Sequence, residues 1–258
     1  MITKDKVLGV ISPSLDTSVF HAATGGNDVV FDWTPLVIPR GACTLSSLTG
    51  TIMGTNGAAA NGLDFRLYFA KSINGVAPSS FGTEHAVQGV NQAAAFRRNT
   101  LGALFVDMST ADDADNLIAY NVFQTKLGTA TSTSGEFRGA LMTLEGEANV
   151  TRAGFQTIYV AMELSGAAMD FGTDVDLNQA GHQAASTAPV QITTSGTDPR
   201  LVFQPGDILG GHTGTVEMEV VSVDSDVLMT VKNISAQIDD NEQLIIKNPI
   251  TFNFGLEY

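Results

Sequence analysis

The closing segment of the chain sets Ile250, Phe252, Phe254, Leu256 and Tyr258 in strict alternation with Thr251, Asn253, Gly255 and Glu257. Side chains on a strand point to opposite faces with period two, so this pattern predicts a half-buried strand whose apolar face is held in a core. A chain end normally frays unless something ties it down, and four large apolar side chains on one face are such a tie. The same alternation returns at Leu63, Phe65, Leu67 and Phe69. It returns again over Phe155–Leu164, where Ile158, Val160, Met162 and Leu164 are expected inside while Tyr159 and Glu163 point out.

Further strands are expected over 28–40, 43–55, 101–108, 117–127 and 137–145. Val29, Phe31 and Trp33 would share one face, Pro35 would mark an edge or a bend because it cannot donate to a ladder, and Asn56-Gly57 would turn a hairpin. Two places read as helical: a short helix within 83–96, interrupted by Gly89, and a turn at 112–118. Short strands separated by Gly, Asn, Asp, Ser and Pro clusters are the mark of a sandwich or barrel. The expectation is therefore an all-β chain. Residues 1–170 would form a jelly-roll-like β-sandwich, 171–199 a Gly, Ala, Ser and Thr-rich loop or linker, and 200–247 a small β-barrel or meander. Residues 248–258 would return as a last strand of the main sheet.

Hydrophobic residues make up 43% of the 258 residues, which excludes a disordered chain. No apolar run approaches the roughly 18 residues of a membrane helix, so no membrane partner is expected. The opening residues lack a signal-peptide pattern, which points to synthesis in a cytoplasm. A single cysteine, Cys43, forbids an internal disulfide and reads as a buried, inert thiol. The formal charge is -14 and is uneven: residues 1–126 carry eight Lys or Arg against ten acids, and 127–258 carry five against seventeen. Such a surface repels phosphate backbones, so nucleic acid is not expected as a partner.

No catalytic pattern stands out. His21, His85, His182 and His212 are far apart and form no HxxxH or HExxH pair, and no serine occupies a Gly-x-Ser-x-Gly elbow. Asp112, Asp113 and Asp115 are dense enough to suggest Ca²⁺, but the glycine and glutamate of a helix-loop-helix calcium site are missing, and a solvated acidic turn is the plainer reading. Asp170–Asp176 and Asp239–Glu242 are read in the same way. Gly210-Gly211-His212-Thr213-Gly214 lacks the lysine and helix of a phosphate loop and reads as a turn. No metal or cofactor is expected. The basic, partly apolar run Ala93–Asn99, with Phe96, Arg97 and Arg98, is the type of anchor found at protein interfaces, and the long segment 74–99 that also holds Phe81 and His85 is expected to contact another subunit.

Three stretches carry a resemblance: Leu63–Gly82 (LDFRLYFAKSINGVAPSSFG), Asn99–Ser109 (NTLGALFVDMS) and Gly154–Gly166 (GFQTIYVAMELSG). Together they resemble virion structural proteins of tailed bacteriophages, especially those infecting marine bacteria, over about residues 45–166. The resemblance implies a head-decorating or tail-associated protein, non-enzymatic, bound to the major capsid protein or other virion proteins, assembled as a homo-oligomer and located in the virion. Two alternatives stay open: a tail fibre or receptor-binding module that recognises a host glycan, and a carbohydrate-active enzyme on a jelly-roll scaffold. The scarcity of aromatic platforms, one Trp and four Tyr, counts against the enzyme.

Overall fold

The computed structural model describes residues 5–18, 27–53, 64–87, 97–106, 120–124, 126–127, 136–137, 142–165, 171–213 and 216–258. The protein is all-β, and its main body is two facing antiparallel sheets. In the first sheet, β1 (Lys6–Ile11) pairs with β20 (Ile250–Glu257), which pairs with β3 (Cys43–Met53). The far side of β3 is taken by β6 (Tyr120–Gln124) at one end and β9 (Met142–Leu144) at the other. In the second sheet, β2 (Val29–Pro39) flanks β11 (Phe155–Leu164). Beyond β11 lie β4 (Phe65–Lys71) and β5 (Thr100–Val106), with the short β10 (Glu147–Ala148) continuing the β4 side.

If β6 and β9 are counted as one stave, the sheets run first-eighth-third-sixth and second-seventh-fourth-fifth in chain order. That is the eight-strand order of a jelly roll. β7 (Lys126–Leu127) and β8 (Glu136–Phe137) form a separate parallel pair.

The closing strand sits between β1 and β3, with both edges bonded, from Lys6↔Glu257 to Ile11↔Phe252 on one side and from Ile250↔Ile52 to Glu257↔Thr44 on the other. Its apolar face fills the gap between the sheets. Phe252 meets Phe31 and Phe65 at ring separations of 6.2 and 5.6 Å, and Phe254 meets Phe69 edge-on at 5.9 Å. Facing sheets stand about 10 Å apart, a distance that large rings span.

One expected alternation fails. Two bulges in β2, on either side of Phe31, break its register against β11. Phe31 joins the central core, while Val29 and Trp33 face the outer side of the sheet. Each bulge adds a residue on one strand only and so inverts the faces beyond it.

The chain between the seventh and eighth staves forms a second body. Its strands are β12 (Val175–Leu177), β14 (Val190–Gly196), β17 (Leu228–Lys232), β16 (Glu217–Val223), β15 (Ile208–Gly211) and β19 (Leu244–Ile246), in that spatial order. The ends of this six-stranded sheet meet: Leu177 N–H donates to Glu242 O at 2.9 Å and Asn241 N–H to Leu177 O at 2.7 Å. A nearly closed barrel results, with β13 (His182–Gln183) and β18 (Ile238–Asp239) pairing beside it. Closure removes the exposed edges that a free sheet would present.

Residues 171–199 are therefore not a linker, because they supply β12, β13 and β14, and the barrel spans 171–247. Their small and polar composition concealed strands whose inward positions, Val175, Leu177, Ile192 and Thr194, are all buried.

Nor is 210–214 simply a turn. Gly210 and Gly211 belong to β15, where a Cβ on the first would strike the Thr17 side chain and on the second the Glu242 carboxylate. Glu242, expected in a solvated turn, is buried at the closing seam, where it accepts from Thr213 N–H at 3.1 Å and from Asp239 N–H at 3.3 Å. Within 170–176, Phe171 and Thr173 are likewise buried, and the Thr173 hydroxyl donates to Leu244 O at 2.5 Å.

Candidate functional site

The described part of the segment expected to meet a partner, as far as Val87, is folded back on its own sheet. Residues 72–87 run across the outer face of β11, β4 and β2. Glu147 clamps one end, accepting Asn74 N–H at 2.6 Å and Gly75 N–H at 2.7 Å. The Trp33 indole donates to Ser79 O at 2.8 Å, and Asp32 accepts Phe81 N–H at 2.6 Å. At the other end His85 N–H donates to Val29 O and Val29 N–H to Ala86 O, at 2.8 and 2.9 Å, which covers the open edge of β2. His85 holds a left-handed φ of 59°, half-buried at this crossing.

Phe81 is thus not an exposed anchor. It is 1% exposed and packs against Trp33, edge-on at 5.2 Å, and Tyr68 at 4.9 Å, in a second cluster with Val29 and Ala161. Under the same cover Glu163, expected to point to solvent, does face outward but is only 7% exposed. It accepts the Tyr68 hydroxyl at 2.7 Å, with Arg66 at 3.8 Å. Burial first, and then the Glu163 carboxylate, push the Tyr68 phenol up to about 12. Alternation marked the direction of Glu163 correctly and could not register the strap laid over it.

The described residues of that segment that stay open to a partner lie at the end of the sandwich away from the barrel. Arg97 and Arg98 are exposed there, as expected, while Phe96 lies outside the described residues, as do His21, Asp112, Asp113 and Asp115. Arg98 lines a groove of about 320 Å³ with Ile73, Asn74, Val76, Ala77, Ser79 and Asn99. The Asn99 amide donates to Lys71 O at 2.7 Å, which fixes this corner to the end of β4.

At the opposite end two clefts flank the seam between sandwich and barrel. Residues 12–18 thread this seam, turning at Thr17-Ser18, with Leu15 N–H donating to Lys247 O at 2.7 Å and the Thr17 hydroxyl to Gly211 O at 2.9 Å. One cleft, about 620 Å³, is lined by Ser12, Thr51, Arg200, Gln204, Asp207, Asn248 and Thr251 among others. Burial raises the Asp207 carboxyl, opposed by the Gln204 N–H it accepts at 2.8 Å. The other cleft, about 550 Å³, holds Asp16, Glu84 and Lys247. There Asp16 N–H donates to Glu84 at 2.9 Å, and burial, reinforced by the nearby Asp16 and Asp32 charges, raises the Glu84 carboxyl.

None of these cleft residues was singled out from sequence, because they come from segments far apart in the chain and share no spacing. Cys43 is buried, its thiol facing Pro39 O at 3.4 Å, and burial raises its pKa. Among the described residues no group of three or more His, Cys, Asp or Glu is arranged to hold a metal ion, and no helix is long and apolar enough to cross a membrane. No family model, curated protein or solved structure matches the chain.

Proposed function

We propose that this chain is a non-enzymatic virion structural protein of a tailed bacteriophage, mounted on the outer surface of the capsid. The observation that supports the reading best is the strand order: a jelly roll, the architecture common in viral capsid and lectin domains, with a second β-unit inserted before its closing strand. The three stretches that resemble phage virion proteins fall on β4, β5 and β11, which are adjacent in one sheet, so the likeness covers one continuous piece of the fold. The partners on this reading are the major capsid protein or other virion proteins together with further copies of the chain.

The test is the copy number and position of the protein in purified particles, read by quantitative mass spectrometry and a cryo-EM difference map. Hundreds of copies over the head are expected, and R97E/R98E should lower occupancy several-fold without changing the melting temperature. Full occupancy by that variant would show that the basic corner takes no part in attachment.

A second reading, a tail module that recognises a host glycan, is favoured by the seam cleft, whose hydroxyl, amide and carboxylate groups suit sugar hydroxyls. A few copies at the tail tip and glycan binding lost in Asp207→Asn would support it. Turnover of a polysaccharide, abolished by the same change, would overturn both readings in favour of an enzyme.

A further inference from the structure

Charge is divided between the two ends of this fold. The barrel, 171–247, contains eleven Asp or Glu against three Lys or Arg. Those three cations are already committed: Arg200 to Asp198 at 2.7 Å, with Asp226 near enough to add to its field, Lys232 to Glu219 at 2.9 Å, and Lys247 to Glu217. The acids at the tip of the β16–β17 hairpin have no basic side chain on the hairpin between Glu219 and Lys232. Asp224 and Asp226 are exposed there, beside Val221 and Val227, which are 38% and 45% exposed. The tip is also preorganised. Asp224 N–H and Ser225 N–H donate to Leu228 O at 2.8 and 3.0 Å, and the Ser222 and Thr230 hydroxyls hold the Asp224 carboxylate at 2.7 and 2.8 Å. Those two hydroxyls also keep the Asp224 pKa below the usual carboxylate range.

The far end of the sandwich is its counterpart. The turns there carry Arg40, Lys71, Arg97, Arg98 and Arg152 against Glu145 and Glu147, and both Glu147 oxygens are occupied by backbone N–H groups; on the facing sheet the same end carries Asp5 and the paired Lys6 and Glu257. Val76 on the rim of the Arg98 groove is 68% exposed, and Val150, just beyond the strand that carries Glu147, is 99% exposed. An end that offers valines among arginines is complementary to a hairpin that offers valines among aspartates. The hairpin side chains, Val, Ser and Asp, are also small enough for a groove of about 320 Å³.

The groove lies where β4 ends at Lys71 and β5 begins at Thr100, whereas the barrel joins the other end, after Leu164 and before Ile250. A single molecule therefore cannot bring the two surfaces together. We propose that the β16–β17 hairpin of one copy seats in the Arg97–Arg98 groove of the next, a head-to-tail contact between copies of this chain. Such a heterologous contact closes into a ring if its rotation allows and otherwise continues as a chain. It does not depend on the virion reading.

The test is a charge-swap experiment on the full-length protein by sedimentation velocity at high micromolar concentration. At ~50 mM salt the native chain should form species larger than a dimer, and at ~500 mM, where exposed charges are screened, it should fall apart. R97E/R98E alone and D224K/D226K alone should each weaken association by about tenfold or more, since like charges would face each other. Mixing the two variants should restore it, because the acidic groove of one then accepts the basic hairpin of the other. All four positions are exposed, and unchanged thermal melts would show that the variants are folded. A native chain that stays monomeric at low salt would overturn the proposal. So would variants that associate like the native chain, or a mixture that stays monomeric while the native chain associates.

Discussion

The sandwich and the barrel solve the same problem with different side chains. The sandwich core is aromatic: Phe31, Phe65, Phe69, Phe252 and Phe254 are all buried between its sheets. The barrel, 171–247, holds only two of Phe, Tyr or Trp, Phe171 and Phe203, and its interior is made largely of Val, Leu, Ile and Met. Two open sheets must be bridged across a wide gap, whereas a small closed barrel leaves a lumen that branched aliphatic side chains already fill. The bodies also differ in how the chain builds them. The barrel is one continuous stretch, while the sandwich is completed only when the final strand, which begins 197 positions after its partner β3 ends, slots between β1 and β3. The last strand is a keystone for the sandwich and pairs with no strand of the barrel.

Removing that keystone should have the largest effect. Phe252→Ala or Phe254→Ala should cost about 3–5 kcal/mol, and deleting 248–258 more still, because β1 and β3 also lose a hydrogen-bonding neighbour. Thr251→Ala, on the opposite face, should be mild. Native-state hydrogen exchange sharpens the contrast: in Phe252→Ala the amides of β1, β3 and β20 should lose protection while those of β14, β16 and β17 keep most of theirs. Uniform loss through both bodies would mean that they unfold as one unit and that the barrel depends on the keystone too.

Next comes the buried pair under the strap. Tyr68→Phe leaves the Glu163 carboxylate without its hydroxyl donor and should cost about 1–3 kcal/mol, read from urea melts. The Trp33 fluorescence should barely move if the strap stays in place. A neutral result in the melts would show that Arg66 alone suffices.

Smaller, and dependent on pH, is the effect of the seam. A carboxyl whose folded pKa is raised binds its proton more tightly when folded, so it contributes stability at low pH that is lost as pH rises through the interval from the unfolded to the folded value. Glu84 is such a group. Glu84→Gln should therefore raise Tm slightly at pH 7, the gain shrinking as the pH is lowered toward about 4, where the native side chain is itself protonated. A gain that grew on acidification would reverse the sign assigned here.

The smallest change tests the barrel interior. Thr194 is buried in it, and its hydroxyl has no hydrogen-bond partner among the described residues. Thr194→Val keeps the shape and removes the unpaired group, so a stabilisation of about 1 kcal/mol is expected in urea melts, with sandwich amides unaffected.

Where the sequence could be read directly, it was read through period-two patterns longer than about five residues. β4, β11 and β20 fall where alternation placed them, because inside and outside are written into neighbouring residues. Strands that are short or built from small residues, such as β12 and β14, carry too little apolar contrast to register. The site residues were less legible still. The exposure of Arg97 and Arg98 follows from their chemistry, but Phe81 has the composition of an interface anchor and the position of a core residue, and only the strap's path decides between them.

By itself, then, the chain determined its all-β class, the place of its final strand in a core, the burial of Cys43 and the acidic bias of its second half. All of these follow from the local order of polar and apolar side chains. Only the tertiary structure decided which strands pair, hence the jelly roll. It alone also decided the closure of 171–247 into a barrel, the two bulges that turn Trp33 outward while Phe31 stays inside, and the cover over Glu163. Those outcomes depend on contacts between segments distant in the chain, and a pleat repeats the same two faces whichever neighbour it is given.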